Sequence, residues 1–572
     1  MPPDLVRYLP FLGWLPRLTR ADLRADAVAG VTVALVAIPQ SLAYAQLAGL
    51  PPYFGLYAAL VPTLIGALFG SSSQLSTGPV ALTSLLTAAS IAPLAASGSE
   101  KYVACAISVA LLSGLFQLSF GVMRLGVLMN LLSHPVLMGF VNAAAILITL
   151  SQVPALFGVA PPAKGHALID TWHVLVNAAE SHGHSVLFGV TAIVLLIAFR
   201  RFAPRLPGVL ITVALLTGAS YLTDYANNGG RIVGVIPPGL PTPALPPLDL
   251  DAWIELVPAS FVIAVISFME AMSSAKIAAI KTASKWDENQ ELIGQGLAKV
   301  ASAFSQTMPV SGSFSRSALN LASGARSGVS SIVAAACVLL TLLFFTPLLK
   351  YLPLPVLAAI IVMALTSLIN LRSLRNAWRA SNDDAIAALL TFAATIAFAP
   401  QIQNGIFAGI LVSLALFIYR RMRPTMAVVE PASAQLAQEV PADMPEALRG
   451  AVGIVRFDAS LVFVNVSYFE AAVLQLERRH PGLRFVLVSA AGINGLDASG
   501  VEMLGSLGDG LRKNGVVLLF SGVKPRVRAA LERTGLAERI GADNFFPSDH
   551  AAYLALAVRE DSGAASGHGR HG

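Results

Sequence analysis

The sequence has little charge, almost no cysteine and no motif of a known catalytic centre. Only 12% of its 572 residues are charged, whereas a soluble protein carries about 25%. The two cysteines, Cys105 and Cys337, lie in separate apolar stretches, which argues against a disulfide framework and a cysteine metal site. No Ser/His/Asp order, P-loop or HExxH motif is present, so we predict neither an enzyme nor a bound metal or cofactor.

Apolar sequence is abundant, at 55% of all residues. Stretches of about 20 apolar residues are long enough to cross a membrane as helices. The regular stretches of this kind are 27–46, 53–69, 102–121, 127–150, 185–201, 207–222, 253–275, 329–350, 353–370, 384–399 and 401–420. Three less regular ones, which contain Gly, Pro, Ser or charge, are 76–95, 288–306 and 311–325. Together they predict an α-helical membrane protein with fourteen spans.

The basic residues predict how the spans are oriented. Alternate loops carry most of the Lys and Arg, which is the distribution expected of cytoplasmic loops. The predicted inner loops hold Arg17, Arg20, Arg24, Arg124, Arg200, Arg201, Arg205, Lys276, Lys281, Lys285, Arg326, Arg372, Arg375, Arg379, Arg420, Arg421 and Arg423. The predicted outer loops hold Lys101, Lys164, Arg231 and Lys350. We therefore predict both termini to be cytoplasmic, with residues 1–25 as an N-terminal segment and 26–423 as the transmembrane domain. The net charge of +6 comes largely from such loops and indicates no nucleic-acid partner.

A change of composition near residue 424 marks a second region. Residues 424–450 are rich in Pro, Ala and Glu and are predicted to be a linker. The strand-like runs "AVGIVRFDASLVFVNV", "LRFVLVSAAG" and "VVLLFSG" then alternate with helical patterns that follow Asp497 and Pro525. This alternation predicts a small cytoplasmic α/β domain over 451–560, followed by a disordered tail over 561–572.

The fourteen spans divide into two sets of seven with similar features at matching places. "VTVALVAIPQSLAYAQLAGLPP" and "VPASFVIAVISFMEAMSSAKIAAI" are apolar helices whose second half turns polar. "SQLSTGPVALTS" and "MPVSGSFSRSALN" follow them at matching distances. Because seven is odd, tandem sets of seven have opposite orientations. This predicts the inverted repeat of secondary transporters, in which interrupted segments at matching places mark the binding site.

The two interrupted segments are predicted to start helices inside the membrane. In "STGPVAL", Ser76 or Thr77 is suited to cap a helix that begins at Pro79. In "VSGSFSRS", Gly312 breaks the regularity, and the serine on either side of it is suited to cap the next helix. Helix starts carry partial positive charge and free N–H groups, so two facing starts predict a site for an oxyanion.

Arg316 falls in the first turn of the second of these helices. Its charge would add to the field on a bound anion. The structural alternative is that Arg316 pairs with a carbonyl or a carboxylate and only holds the fold. An intramembrane cation beside helix ends that favour anions points to function.

Several motifs resemble the sulfate permease (SulP) family, which is related to the animal anion exchangers and prestin. They are "IPQSLAYAQLAGLPPYFGLYAAL", "STGPVAL", "DENQELIGQGLAKVASAF" and "GSFSRSALN", in the family's order. The C-terminal part resembles the STAS domain that these proteins carry, and the resemblance covers most of residues 15–560. It implies a seven-plus-seven inverted repeat like that of the uracil transporter, divided into core and gate domains and usually in a homodimer.

The resemblance also implies a set of site residues. Those that match the family's substrate positions are Gln40 and Tyr44 in the first span, just after an expected break at Pro39, Val80 and Ala81 at the start of the third, and Ser313, Phe314, Ser315 and Arg316 at the start of the tenth. Glu270 matches the carboxylate of the eighth span, and Ser274 stands one turn later on the same helix face. We expect this pair to carry the coupling proton.

Glu270 suggests how transport is driven. A carboxylate in the middle of a span is costly to ionise, so Glu270 is expected to exchange a proton. An ionised Glu270 would repel an anion near Arg316, and protonation would remove that repulsion, so proton and anion should bind together. The alternative is a permanent Glu270–Arg316 ion pair. The sodium-driven bicarbonate branch of the family has Asp at the place of Glu270 and Thr at that of Ser274, which makes sodium a weaker candidate than the proton.

The leading hypothesis is therefore a proton-coupled sulfate symporter of a bacterial inner membrane. Bicarbonate and C4-dicarboxylate transport stay open, and a non-transporting motor or scaffold that senses anions is an alternative of another class. Ser499 in "GLDASGVEML" matches the position phosphorylated in the bacterial anti-sigma-factor antagonists, with a simple helix cap as the alternative. Expected partners are the anion, membrane lipid, a second copy of the chain and a cytoplasmic partner of the STAS domain.

Overall fold

The computed structural model describes residues 9–126, 134–159, 167–177, 181–204, 206–237, 239–247, 249–366, 369–431, 433 and 446–567. The chain divides into two compact units, Met1–Ser413 and Leu414–Gly572. Parts of some predictions lie outside the described residues. These are the first eight residues of the N-terminal segment, 127–133 of the fourth predicted span, two basic loop residues (Lys164 and Arg205), most of the linker, and 568–572 of the tail.

The first unit consists of helices and two short strands. Its first half contains α1 (Phe11–Trp14), α2 (Arg20–Leu47), α3 (Tyr53–Ala58), α4 (Val61–Phe69), β1 (Thr77–Gly78), α5 (Ala81–Ile91), α6 (Glu100–Val122), α7 (His134–Ser151), α8 (Val153–Phe157), α9 (Ala167–Val176), α10 (Gly183–Phe202) and α11 (Gly208–Leu222). Its second half contains α12 (Leu250–Thr282), α13 (Glu288–Phe304), β2 (Ser311–Gly312), α14 (Phe314–Ala322), α15 (Val329–Leu340), a π-helical turn (Thr341–Phe345), α16 (Thr346–Leu349), α17 (Leu354–Leu365), α18 (Leu371–Ala380), α19 (Asn382–Ala397) and α20 (Gln403–Met422), which runs across the boundary between the units.

Among the described residues, seven helical segments are long and apolar enough to cross a membrane by themselves. They are α2, α6, Pro135–Phe157, α10, α12, Val329–Leu349 and α20. Shorter apolar helices cover Tyr53–Phe69, α5, α11 and α17. Each of the fourteen predicted stretches contains at least one helix, so the prediction of a helical membrane protein is confirmed. The basic loop predicted around residues 372–379 is itself a helix, α18.

Polar side chains that accept hydrogen bonds from backbone N–H groups fix where three of the long helices, α2, α12 and α13, begin. At the start of α2, Thr19 Oγ1 accepts from the N–H of Asp22 over 3.2 Å, and Asp22 Oδ2 accepts from the N–H of Thr19 over 3.0 Å. Asp249 and Asp287 accept from first-turn N–H groups of α12 and α13 in the same way. These bonds satisfy donors that have no partner within the helix.

The second unit is an α/β domain built on one sheet. Within the described part of this unit the sheet has five strands, adjacent in chain order: β3 (Met426–Val429), β4 (Val452–Phe457), β5 (Phe485–Ser489), β6 (Val517–Ser521) and β7 (Phe545–Phe546). β3 is antiparallel to β4, and the other neighbours are parallel. The helices are α21 (Glu446–Arg449), α22 (Val466–Arg479), α23 (Ala498–Lys513), α24 (Pro525–Arg533), α25 (Leu536–Ile540) and α26 (Asp549–Gly567).

Apolar cores on both faces of this sheet explain why its strands are hydrophobic without alternation. Along β5, Val486 and Val488 belong to one core, and Phe485 and Leu487 belong to the other. A parallel strand buried on both faces has this pattern. Two details differ from the sequence prediction. β3 lies inside the stretch assigned to the linker, and α26 extends into the tail that was expected to be disordered.

Candidate functional site

Two short strands pair in the interior of the first unit. β1 and β2 are antiparallel, with Thr77 opposite Gly312 and Gly78 opposite Ser311. The N–H of Ser313 continues the pairing by donating to the carbonyl of Ser76 over 2.8 Å. Each strand is buried and leads directly into a helix, β1 into α5 and β2 into α14. The pairing therefore holds the two helix starts next to each other.

The start of α5 differs from the sequence prediction. The helix begins at Ala81 and not at Pro79, and its N-cap is Val80 in an extended conformation, without a side-chain hydrogen bond. Ser76 and Thr77, the predicted caps, are used in the strand pairing instead. The extended backbone that this pairing requires delays the helix by two residues. The first turn of α5 is therefore uncapped by side chains within the described residues.

The start of α14 agrees with the sequence prediction. The helix begins at Phe314, and Ser313 caps it because its Oγ accepts from the N–H of Arg316 over 3.4 Å. Ser311, the other candidate cap, lies in β2. Ser313 is 5% exposed, whereas Phe314 and Ser315 are exposed. Arg316 is thus in the first turn, as predicted.

The Arg316 side chain is almost fully buried, with 2% exposed. Its Nη1 donates to the carbonyl of Pro79 over 2.8 Å, and its Nε donates to Ser76 Oγ over 3.4 Å. Nη2 has no hydrogen-bond partner among the described residues. The carbonyl partner of the structural alternative is therefore present, but it engages only one of the two terminal nitrogens. The guanidinium therefore links the start of α14 to the segment before α5, and its Nη2 N–H groups are left without an acceptor among the described residues.

Gln40 and Tyr44 lie on one face of α2, one turn apart. A break at Pro39 was expected, and this was wrong: α2 is continuous to Leu47 with the proline inside it. Proline removes one backbone hydrogen bond, and the packing of a buried helix can maintain the rest of the ladder. Gln40 is 8% exposed, and its Oε1 has no partner among the described residues. The buried Tyr44 interacts electrostatically with Arg316.

Glu270 projects from α12, which packs against α5, β2 and α14. Its Oε2 is buried without a hydrogen-bond partner among the described residues. Glu270 interacts electrostatically with Arg316, but within the described part of the chain the two side chains form no ion pair at 4.0 Å or less. The permanent ion pair is therefore not observed. The hydroxyl of Ser274 donates to the backbone carbonyl of Glu270 over 3.1 Å.

Two other buried carboxylates of this unit differ from Glu270 in being saturated with hydrogen bonds. Asp26 accepts from the N–H groups of Arg326 and Ser327 over 2.6 and 3.1 Å, and from the hydroxyl of Ser327 over 2.5 Å. Glu291 accepts from the N–H groups of Ser71 and Ser72, both over 2.9 Å. These two side chains fix loops to helix ends. Glu270 has no such structural task.

The sequence prediction missed one charged residue next to this site. Lys299 in α13 has no exposed surface, and its Nζ donates to Gln117 Oε1 on α6 over 2.8 Å. It interacts electrostatically with Glu270. A single lysine within a span was the available signal, and it could have been singled out as Arg316 was, because intramembrane charges are rare and usually functional.

A cavity of about 450 Å³ begins at Gln40. Leu319, one turn beyond Arg316 on α14, also lines it, and it extends past Thr32 to Arg200 at the end of α10. The lining therefore runs from Gln40 and Leu319 to Arg200, one of the basic residues that were predicted to be cytoplasmic.

This arrangement is suited to anions. Two helix starts and a buried guanidinium make the site electropositive, and Glu270, whose Oε2 has no hydrogen-bond donor among the described residues, interacts electrostatically with that guanidinium. Within the described residues, no group of three or more His, Cys, Asp or Glu side chains is placed to hold a metal ion.

In the second unit, Ser499 lies in the first turn of α23 and is half-buried. The cap of this helix is Asp497, whose Oδ1 accepts from the N–H of Gly500 over 2.8 Å. The simple cap that was the alternative for Ser499 is therefore supplied by its neighbour. Phosphorylation of Ser499 stays a prediction.

Comparison with known proteins agrees with this architecture. Residues 23–391 match the sulfate permease family, and residues 446–552 match the STAS domain. A probable sulfate transporter of Mycobacterium tuberculosis is 33% identical over 93% of this chain and 96% of its own length.

Solved structures show the same fold. The murine Solute Carrier 26 family member A9 anion transporter, in its inward-facing state, is 21% identical and superimposes with a TM-score of 0.88 over 98% of this chain and 95% of that one. The transmembrane domain of the bicarbonate transporter BicA from a cyanobacterium is 25% identical, with a TM-score of 0.60 over 69% of this chain and 98% of that one. The resemblance seen in the sequence motifs is thereby confirmed. The chain belongs to the sulfate permease family, as a multi-pass membrane protein with a transporter fold and a C-terminal STAS domain, and it is not an enzyme.

Proposed function

We propose that this protein is a proton-coupled sulfate symporter that binds the anion between the starts of α5 and α14 and the proton on Glu270. The observation that carries the proposal is the contrast among the buried carboxylates. Asp26 and Glu291 are saturated by backbone donors, whereas Glu270 Oε2 has none among the described residues and interacts with Arg316. A buried carboxyl group without donors accepts a proton at little cost.

The anion site follows from the paired strands. Val80 and Ala81 place uncapped N–H groups at the first turn of α5, and Ser313, Phe314 and Ser315 place a hydroxyl-rich start opposite. The spare Nη2 of Arg316 adds a full positive charge to the partial charges of the two helix ends. Gln40 and Tyr44 from α2 complete the proposed wall, because both are buried, Tyr44 interacts with Arg316, and Gln40 lines the cavity that Leu319 of α14 also lines.

Coupling follows from the charge of Glu270. While the carboxylate is ionised it repels an incoming anion, and protonation removes that repulsion, so each ligand favours the other. Importing a dianion against an inside-negative potential costs about twice the ~2.3 kcal/mol that one charge costs per 100 mV. Uptake by diffusion is therefore unfavourable, and co-transported protons offset the cost. Ser274 would act on Glu270 through the backbone bond, and sodium is the less favoured coupling ion.

Sulfate is favoured as the substrate by the relative named a sulfate transporter, which is similar over nearly the whole chain. Bicarbonate is the second candidate because the similar cyanobacterial structure is named a bicarbonate transporter. The oxyanion character of both suits a site made of helix ends and a guanidinium.

The wider architecture that we propose has fourteen spans in an inverted seven-plus-seven repeat, divided into core and gate domains. The antiparallel pairing of β1 with β2 supports it, because opposite strand directions are what inversion of matching segments requires. The proposal also includes a homodimer, both termini on the cytoplasmic side of a bacterial inner membrane, and a cavity beside Arg200 that opens to the cytoplasm.

Uptake into proteoliposomes tests the function. Purified full-length protein should accumulate radiolabelled sulfate when an inward proton gradient is imposed and not when only a sodium gradient is imposed. Glu270→Gln mimics a permanently protonated carboxyl group. We expect this variant to bind sulfate with an affinity nearly independent of pH, to exchange internal for external sulfate, and to lose accumulation.

Glu255→Gln is the control, because Glu255 lies on the same helix and is exposed. Accumulation of sulfate by Glu270→Gln on a proton gradient would remove Glu270 from the mechanism. Sulfate binding without any uptake in the wild type would favour the anion-sensing scaffold instead.

A further inference from the structure

Lys299 is a buried cation that the proposed mechanism leaves without a role. None of its surface is exposed, and its one hydrogen bond within the described residues goes to the amide oxygen of Gln117. An amide oxygen carries no charge to balance the ammonium. Two carboxylates buried in this unit, Asp26 and Glu291, are held by backbone N–H groups of distant loops and form no ion pair with Lys299 among the described residues. An ammonium in this position is expensive and is seldom retained for packing alone.

The contacts of Gln117 fix Lys299 relative to the site. Gln117 has no exposed surface, and its Nε2 donates to the carbonyl of Ala264 over 2.7 Å and to Ser267 Oγ over 3.0 Å, both on α12. The carbonyl of Ser267 in turn accepts from Ser311 Oγ in β2 over 2.8 Å. Since Glu270 follows Ser267 by three residues, it lies on the same face of α12. The ammonium is therefore held at a set position behind both Glu270 and the start of α14.

The hydrogen bond alone does not explain a lysine. A neutral glutamine or asparagine would also donate to Gln117, without the desolvation cost of an ammonium. What lysine adds is charge. The titratable or charged side chains that interact with Glu270 are Arg316, Lys299 and Tyr44. Tyr44 is a neutral phenol, so the two cations and Glu270 set the net side-chain charge of the region, while the two helix starts contribute the same partial charge in every state.

The charge count distinguishes two classes of anion. With Glu270 ionised, the two cations leave one net positive charge, and with Glu270 protonated they leave two. A site of low dielectric discriminates strongly against an uncompensated charge. Two net charges match a divalent oxyanion, and one matches a monovalent anion. Without Lys299, the protonated site would match only a monovalent anion.

We propose that Lys299 determines the valence of the transported anion, supplying the second positive charge that lets the site with protonated Glu270 accept a divalent oxyanion. This inference rests on the proposed function and deepens it, because it names the substrate class of the same site. Lys299 acts through its fixed charge and does not touch the anion.

The test compares sulfate with nitrate, a monovalent oxyanion that does not titrate. Dissociation constants of both are measured on the purified full-length protein at a mildly acidic pH. In Lys299→Gln we expect the preference for sulfate over nitrate to fall by about tenfold or more, since one buried charge acts twice as strongly on a dianion. Gln117→Glu should cause the same fall, because it neutralises the ammonium without removing it. Lys299→Arg should keep the wild-type preference.

Two matched variants separate charge from packing. Lys276→Gln removes the same charge from an exposed position of α12 and should leave the preference unchanged. The exchange variant, with Gln117→Lys and Lys299→Gln together, restores the cation on the other side of the same hydrogen bond and should recover the preference for sulfate. A purely structural role of Lys299 predicts no such recovery.

The outcomes distinguish this inference from the function it rests on. A folded Lys299→Gln or Gln117→Glu protein with the wild-type preference overturns the role of Lys299. If Lys299→Gln does not fold, Gln117→Glu decides, because it retains the lysine and a side-chain oxygen that accepts from it; thermal unfolding checks its fold, since the bonds that Gln117 donates to Ala264 and Ser267 are lost. A wild-type protein that binds nitrate as tightly as sulfate overturns the inference while anion transport stands, whereas binding of neither anion overturns the proposed function itself.

Discussion

The starts of α5 and α14 occupy matching places in the two halves of the membrane unit, yet they are built differently. The first begins after an extended Val80 with no side-chain cap, and it contributes only backbone groups. The second has a serine cap and a buried arginine in its first turn. Glu270 and Lys299, which interact electrostatically with each other beside the two helix starts, also come from the second half.

The difference indicates a division of labour between the halves. Backbone N–H groups provide a fixed, weak attraction for anions that cannot be switched. Side-chain charges are stronger, and a carboxyl group among them can change its state with pH. In the mechanism we propose, the first half therefore provides the frame of the anion site, and the second half provides its charge and its response to protons.

The largest expected effect comes from removing the charge of the second half. Arg316→Ala should weaken anion binding by about 10- to 100-fold at every pH, because a hydrogen bond from a charged donor contributes about 1.5–3 kcal/mol. The anion affinity of Arg316→Lys should fall between those of the wild type and Arg316→Ala, since lysine keeps the charge and loses the planar guanidinium. Isothermal titration calorimetry measures both.

Arg326→Ala is the control for this change, because the Arg326 side chain is 59% exposed and pairs with Asp22 at the surface. Wild-type affinity in Arg316→Ala would mean that the two halves contribute equally through their backbones.

An intermediate effect is expected from the glycines of the two strands. A Cβ on Gly312 would lie 2.8 Å from Leu75 Cδ1 and 2.9 Å from Ala271 Cβ, so Gly312→Ala should lower the free energy of unfolding by about 1–3 kcal/mol. A Cβ on Gly78 would lie 3.1 Å from Arg316 Nη2. Gly78→Ala should therefore displace the guanidinium and weaken anion binding more than Gly312→Ala does, and it should also lower stability because Gly78 has a φ of +157°, which favours glycine.

Thermal unfolding and anion titration of both variants test this separation. Gly218→Ala is the control, since a Cβ there meets nothing within 4 Å. Equal loss of anion affinity in both strand variants would contradict the assignment of frame and charge to different halves.

The smallest effect is expected from the helix cap that only the second half has. Ser313→Ala removes the acceptor for the N–H of Arg316 and should lower the free energy of unfolding by about 0.5–1 kcal/mol. Ser315→Ala makes the same chemical change at an exposed position two residues later and should leave stability unchanged. A larger loss from Ser315 than from Ser313 in thermal unfolding would exclude the cap.

The start of α14 was predictable from the sequence because its signals are local. A serine and a glycine precede an apolar run, and the arginine follows three residues after the cap, so nothing distant is needed to place them. The start of α5 has local signals of the same kind, and they were misleading. Pro79 and Ser76 belong to an extended segment whose partner, β2, is in the other half of the chain, and two-residue strands have no periodic pattern.

The environment of Lys299 could not be predicted from the sequence either, because its partner is also distant in the chain. Its hydrogen-bond partner lies 182 positions away in the chain. The residue stands in a stretch that hydropathy alone would not assign as a span. The charge could have been noticed in the sequence, but its hydrogen bond to Gln117 could be recognised only once α13 and α6 were seen to pack together.

The pairing of β1 with β2 also has a consequence for how the protein is made. Ribosomes deliver the first half to the membrane before the second exists, so Thr77 and Gly78 arrive without the backbone partners they later have. Unpaired N–H and C=O groups at membrane depth are costly, and irregular backbone is tolerated there only where protein or water covers it. The nascent first half therefore needs shelter, from an insertase or a wet cavity, until Ser311 and Gly312 have been synthesised. Synthesis of β2 completes the pairing. A chain that stalls between the two halves therefore lacks β2, and its proposed anion site is incomplete.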